Sequence, residues 1–377
     1  MKKLLFLFLA ISIVSCKNSE KKAKEISKPE VKIYQLVGGS ILVKKLEVFS
    51  QDTTYTGQSK LFTDIYYVIS HPKGNLMWDA GLPEQLVIPQ PYDEPSGVYR
   101  IQRPDSLVNQ LKSIGFKIED FTHFAMSHSH FDHTGHANYL KNATWLVQEN
   151  EYNSVAADTL ANKNPAVAEL KKVKKLHGDY DVFEDGSVII KYTPGHTVGH
   201  QALYVEVSGV EKPILLTGDL YHFKENRTNK VVPSFNYNVQ QTLESMDAFE
   251  AFAKEKNAQV IIQHSPEDFK ELNKLLGYTS GKTIVETPNF THEGEFVYIA
   301  DAATFKDCAS GKTYSVSGNE AYLILEKAYL NAKHKDFEPK WVQVVAEMKQ
   351  AKGIDNKPEE QLIVTQFVSL DENKKCK

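Results

Sequence analysis

The sequence predicts an α/β layered domain over residues 31–280, followed by a small, mostly β domain over residues 289–377. Three observations predict it. Strand-like apolar runs alternate with helical patterns up to about residue 278, as in layered α/β domains. Four of those runs end in a side chain able to ligate a metal. Beyond residue 278 short strand-like runs follow one another, interrupted by one helical stretch at 320–330.

The elements can be justified in order. Residues 1–16 read as an export signal. Lys2-Lys3 is a short basic region, and 4–14 is an apolar run, shorter than the about 20 residues a membrane span needs. It ends in Ile13-Val14-Ser15-Cys16, which resembles a bacterial lipobox, whose cysteine becomes the lipidated first residue. The resemblance implies an exported protein, anchored to the bacterial outer membrane through lipid on Cys16 alone. Residues 17–30 are polar and charged, without aromatics, and predict a flexible tether. The charge balance, 44 basic against 48 acidic residues, gives no reason to expect a nucleic-acid partner.

From residue 31 the pattern predicts strands at 31–37, 41–49, 65–70 and 76–78, the last two joined by turn residues 71–75. Residues 82–102, rich in Pro and Tyr, predict a long loop. A short helix is expected at 105–114, stopped by Gly115. Val239, Leu243, Met246, Phe249 and Phe252 recur at three- and four-residue intervals, which predicts a helix with one buried face. Lys171–Lys175, KKVKK, is expected to be a solvated helix face. Residues 280–288 would connect the two domains. Further strands are expected at 296–299, 313–316, 341–345 and 362–368.

The chemistry concentrates in His128-Ser129-His130-Phe131-Asp132-His133. In extended backbone, residues two apart point the same way, so His128 and His130 can reach one ion. Imidazole and carboxylate suit zinc and similar divalent ions. This cluster alone fits one metal or two. The apolar runs 188–190, 214–216 and 260–262 lead into His196, Asp219 and His264. Ligands at strand ends of one sheet converge at one edge. Five histidines and two aspartates suit two ions, three ligands each and one bridging carboxylate, with positions open for water and substrate.

These residues resemble the metallo-β-lactamase superfamily, whose signature HxHxDH is met by His128, His130, Asp132 and His133. The resemblance covers roughly residues 31–278. It implies an αββα sandwich with the site at one sheet edge and two divalent ions, expected to be zinc. His128, His130 and His196 would hold the first, Asp132, His133 and His264 the second, with Asp219 between them. Asp132 or Asp219 would carry the proton to the departing oxygen.

The donor set alone allows an ester, thioester, lactam or phosphodiester substrate. Many β-lactamases of the superfamily use a cysteine at the second metal, and none is near here. Glyoxalase II shares the ligands but has a helical C-terminal region. The segments GNLMWDAGLP (74–83), Ala143-Thr144-Trp145 with Glu151-Tyr152, and Gly218-Asp219-Leu220-Tyr221-His222 resemble N-acyl-homoserine lactonases, the quorum-quenching enzymes. An acyl-homoserine lactone is therefore the expected small-molecule partner. The alternatives are another hydrolase of this fold or a non-catalytic, metal-binding envelope sensor. Many lactonases of that group place a tyrosine three residues after the bridging aspartate. Here that position is His222, with Tyr221 one step earlier, so either can donate to the lactone carbonyl, and Tyr221 is favoured because a phenol stays protonated at neutral pH.

The loop from Leu82 to Tyr99, with Leu86, Val87, Ile88 and Tyr92, and the segment with Phe235 and Tyr237 are candidate walls of an acyl groove. Asp79 is expected to support a loop or a ligand histidine, and His136 and His200 to play supporting parts. His71, His123, His177, His292 and His334 are expected at the surface. In the tail, 298–305, Asp307-Cys308, 311–314, Tyr322, Glu326 and Tyr329 resemble the C-terminal OB-like domain of envelope lipoproteins linked to copper resistance and stress sensing, and Cys376 falls where that domain has its second cysteine. If Cys16 is lipidated, Cys308 and Cys376 are the remaining cysteines, and export would let them form a disulfide.

Overall fold

A computed structural model describes residues 28–88, 91–103, 105–155, 164–277, 291–299, 302–318, 320–333, 335, 337–352 and 358–376. The export signal, most of the tether, the connection at 280–288 and His334 lie outside the described residues.

The first sheet is built from β1 (Lys32–Val43), β2 (Lys60–His71), β3 (Gly74–Trp78), β4 (Tyr92–Asp93), β5 (Tyr99–Gln102), β6 (Phe121–Ala125), β7 (Thr144–Gln148) and β8 (Val173–Leu176), in the order β4-β5-β1-β2-β3-β6-β7-β8. The second contains β9 (Tyr180–Asp181), β10 (Val188–Tyr192), β11 (Gln201–Val205), β12 (Ile214–Leu216) and β13 (Gln259–Ile261), in the order β13-β12-β11-β10-β9. The helices are α1 (Leu107–Ser113), α2 (Phe131–Thr134), α3 (Glu149–Val155), α4 (Lys224–Asn229), α5 (Val239–Glu255) and α6 (Pro266–Leu276).

Side-chain alternation along β2 shows how the layers form. Ile65, Tyr67 and Ile69 point between the sheets and meet Ile190, Leu203 and Leu216. Tyr66 and Val68 point the other way, onto Leu107 and Leu111 of α1. On the far side Tyr204 and Leu215 pack on Met246 and Phe249 of α5. Period-two strands between periodic helices thus give an αββα sandwich. Each fully buried large apolar side chain contributes about 1.5–3 kcal/mol. Among the described residues, no helix is long and apolar enough to cross a membrane.

Several expectations are corrected. The strands expected at 31–37 and 41–49 are one strand, β1, whose register shifts between Val37 and Gly39, and then a 3-10 turn at Leu46–Phe49. Gly38 is required there: a Cβ would stand 2.0 Å from Asp64 Oδ2. The expected long loop contains β4 and β5, which extend the sheet edge by pairing Tyr99 with Val43 and Ile101 with Ile41. Lys171–Lys175 contributes to strand β8 rather than a helix, because this segment pairs with β7 as a parallel edge. His71 is buried, stacked on Phe183 at 4.1 Å with Asp185 Oδ2 3.1 Å from its Nε2.

The C-terminal part is a closed barrel in the order β14-β15-β16-β18-β17, formed by β14 (Thr291–Ile299), β15 (Ala302–Asp307), β16 (Thr313–Gly318), β17 (Lys340–Lys352) and β18 (Pro358–Asp371), with α7 (Glu320–Asn331) before β17. Phe296, Phe305, Leu325, Tyr329, Val342 and Leu362 form its core. Cys308 and Cys376 form a disulfide.

Candidate metal centre

The potential ligands leave the ends of four strands. His128, His130, Asp132 and His133 follow β6, His196 follows β10, Asp219 follows β12 and His264 follows β13. Two groups result, each with ligand atoms within 4.8 Å of one another: His128, His130, His196 and Asp219, and Asp132, His133 and His264. Asp219 reaches both. Its Oδ2 lies 3.5 Å from His128 Nε2 and 3.6 Å from His196 Nε2, while its Oδ1 lies 2.9 Å from His264 Nε2 and 3.2 Å from His133 Nε2. Asp132 lies 3.8 Å from His264 Nε2 through Oδ2.

These residues fit metal ions on their own chemistry. His128 Nε2, His133 Nε2 and Asp219 Oδ1 are buried without a hydrogen-bond partner, an arrangement that costs free energy unless a cation meets them. Burial lowers the pKa values of His128, His130 and His196, which favours the neutral, ligating form. Burial opposes the charged form of His133 and His264 most strongly of any single cause, but the nearby carboxylates, Asp219 first and Asp132 with it, together outweigh it, and His264 is pushed up to about 9. The middle of the cluster therefore calls for positive charge, and ion binding there would displace protons.

A shell of hydrogen bonds aims the ligands. Asp79, at φ 61°, accepts from Ser127 N at 2.5 Å and from Gln263 Nε2 at 2.7 Å, and its Oδ2 lies 3.2 Å from His133 Nδ1. His264 Nδ1 donates to Thr63 O at 2.8 Å, and the next residue, Ser265, caps α6 by accepting from Asp268 N. His200 Nε2 accepts from Asp219 N at 3.0 Å while its Nδ1 faces Thr193 O, so it holds the backbone of the shared carboxylate. His136 binds Ala80 O and Glu84, and Ala80 N donates to His133 O, so His136 supports the backbone beside a ligand. Glu151 was recognisable in the sequence only as part of a resemblance. Its Oε1 accepts from Ser129 N and its Oε2 from Gly199 N, both at 2.9 Å, so one buried carboxylate ties two ligand loops together. Gly195, at φ 131°, precedes His196 where a Cβ would stand 2.3 Å from Thr242 N.

Asp79→Asn should keep the backbone geometry but lose the anion behind His133. Metal affinity is expected to fall by about 10- to 100-fold. Competition with a chelator measures this; an unchanged affinity would show that Asp79 holds only the backbone of Ser127.

The structure corrects the preference for Tyr221. Its hydroxyl donates to Glu250 Oε1 at 3.1 Å and its ring packs on Phe249, on the α5 side of the second sheet. Tyr221 has extended backbone, φ −139° and ψ 135°, which sends it and His222 to opposite sides. His222 is the one that faces the ligands. Its Nε2 lies 3.1 Å from Asp219 Oδ2, without a hydrogen bond, and its ring stacks on His264 at 6.0 Å.

Over the ligands lies a cavity of about 200 Å³. Ile41, Phe49, Phe62, Phe131 and Phe235 give it apolar walls, and Tyr99 and His222 add polar ends. Of the groove residues suggested by sequence, Phe235 lines it, whereas Leu86, Val87, Ile88, Tyr92 and Tyr237 do not. Tyr99 ends the loop suggested by sequence, whereas Phe62 and Phe49 had no signal of their own, because Phe62 reaches the site through the pairing of β1 with β2 and Phe49 from the 3-10 turn after β1. A larger cavity of about 560 Å³ shares Phe62 and His264 but contains no other potential ligand of the two groups.

Residues 60–296 match the metallo-beta-lactamase superfamily, and residues 286–377 match the NlpE C-terminal OB domain. An N-acyl homoserine lactonase AttM of Rhizobium radiobacter is 29% identical over 223 residues, covering 55% of this chain and 84% of its own length. An N-acyl homoserine lactonase of a Bacillus species is 31% identical over 232 residues, covering 60% and 90%. A solved N-acyl homoserine lactone hydrolase, with the product N-hexanoyl-L-homoserine bound at its catalytic metal centre, aligns with a TM-score of 0.55 at 25% identity and covers 65% of this chain and 96% of that one.

Proposed function

The chain belongs to the metallo-β-lactamase superfamily of hydrolases, and we propose that it opens the lactone ring of N-acyl-homoserine lactones with two divalent ions, zinc by donor type, held in the paired site. The observation that carries this reading is the placing of both donor groups under one small aromatic-walled cavity. The lactonases among its relatives support the same reading. When bound, the ions make water acidic enough to attack at neutral pH and polarise the carbonyl under attack.

The chain's own residues would do the rest. Asp219 spans both donor groups and sets their spacing. His222, beside Asp219 Oδ2, is placed to hold the lactone carbonyl oxygen. Asp132 lies at the cavity wall, where its carboxylate can pass the proton lost by water to the ring oxygen. Phe49, Phe62 and Phe235 exclude water and offer the acyl chain an apolar surface. Export and lipid attachment at Cys16 belong to the same proposal. The apolar run at 4–14 and the Cys308–Cys376 disulfide support it, since disulfides persist outside the cytoplasm.

The test is an assay of purified protein with homoserine lactones of several acyl lengths, a cephalosporin and a thioester, alongside metal analysis. Ring opening is expected, with two metal equivalents per chain, loss on chelation and recovery when zinc is restored. Turnover of the thioester or cephalosporin without lactone opening would overturn the substrate, and one equivalent or none in active protein would overturn the paired site.

A further inference from the structure

Among the cavity residues outside the two donor groups, Tyr99 and His222 are the ones that carry a hydrogen-bond donor. They stand at different places. His222 is tied by position to Asp219 Oδ2, the oxygen that also faces His128 and His196. Tyr99 comes from β5, the second strand from the sheet edge, with its ring 6.3 Å from that of Phe131, the residue between His130 and Asp132. Val43 is its partner across the strand pair, and its ring packs against the Ile41–Phe49–Phe62 cluster. Its hydroxyl has no hydrogen-bond partner among the described residues, whereas the Tyr221 phenol is spent on Glu250. Burial raises the Tyr99 pKa, and the negative charges of Asp132 and then Asp219 add to it, so both carboxylates are within electrostatic reach of this phenol. A phenol in this position keeps its proton at neutral pH and can donate without being consumed.

We propose that Tyr99 is a catalytic residue, donating a hydrogen bond to the ester oxygen that departs as the ring opens. The inference rests on the hydrolytic reading above and assigns one oxygen to one side chain. Water adds to the carbonyl carbon, and the bond from that carbon to the ring oxygen breaks. The electron pair goes to the ring oxygen, and the proton lost by water reaches it through Asp132. Tyr99 retains its own proton and stabilises the negative charge while it accumulates. Its ring lies beside Phe131, which adjoins Asp132, whereas His222 stands at Asp219 Oδ2, so the carbonyl oxygen and the leaving oxygen would have separate donors.

Tyr99→Phe removes the donor and keeps the ring. The test compares an acyl-homoserine lactone with the 4-nitrophenyl ester of the matching N-acyl-2-aminobutyric acid, which lacks the hydroxyl that would close the ring, using the full, metal-loaded chain. The lactone releases a basic alkoxide, and the aryl ester releases a stable phenolate that needs no help. Tyr99→Phe is expected to lower kcat on the lactone by about tenfold or more. On the aryl ester it should stay within about twofold, with metal content unchanged. Equal losses on both substrates, or no loss on the lactone, would overturn the assignment. If the wild-type chain opens no lactone, the substrate reading fails instead. Tyr99 is then judged by the same split between the ethyl and 4-nitrophenyl esters of one acid.

Discussion

Asp219→Ala is expected to abolish hydrolysis while the chain still folds. Loss of an outer hydrogen bond to a metal ligand costs about 10- to 100-fold, and this substitution should exceed that range because it removes a side chain whose two oxygens face the two donor groups. One carboxylate oxygen stands 2.9 Å from His264 Nε2 and the other 3.5 Å from His128 Nε2. Without it each ion would depend on the remaining three protein ligands, and nothing would set the distance between them. Folding should survive, because the neighbouring contacts are main-chain ones. Asp219 N still donates to His200, and Thr217 N still donates to Ile261 O. Leu220 next to it remains in the α5-side core. Circular dichroism, metal analysis and kcat separate these effects. Near wild-type turnover with both ions bound would refute the bridging role.

The second large effect concerns the barrel. Cys308 follows β15 and Cys376 lies near the chain end, and their bond closes a loop with a sequence separation of 68. Chain-entropy estimates give such a loop about 4 kcal/mol, comparable with the whole stability of a small domain, about 5–15 kcal/mol. Cys308→Ser with Cys376→Ser, or reduction, should therefore loosen the barrel. Other contacts hold the same two ends more weakly: Cys308 N donates to Glu293 O at 2.8 Å and Cys376 N to Glu295 Oε1 at 3.3 Å. Hydrolysis should continue, since neither donor group contains a cysteine. Thiol counting on unfolded, unreduced protein, then proteolysis and activity with and without reductant, makes the comparison. Two free thiols in protein matured in an oxidising compartment would refute the bond there, and loss of turnover on reduction would show that the barrel supports the site.

What the sequence determined by itself is the chemistry that stays local along the chain. His128, His130, Asp132 and His133 sit within six residues, and each remaining ligand directly follows an apolar strand, so covalent spacing and strand periodicity were enough to identify the donor set. The layered fold was legible for the same reason, as was the switch to a β-rich tail. Only the tertiary structure decided which polar groups face the ligands and the cavity over them. Tyr221 and His222 are adjacent in sequence, and the extended backbone at Tyr221 sends one to α5 and the other to the ligands. Phe62 and Tyr99 enter through the register of β2 and β5 against β1, and Phe49 enters from the turn that follows β1. Glu151 joins the loops of Ser129 and Gly199. Ligation constrains residue type and local spacing, which a sequence displays. The walls and hydrogen-bond donors around the ligands depend on sheet register and packing between remote segments, and those distances exist only once the chain has folded.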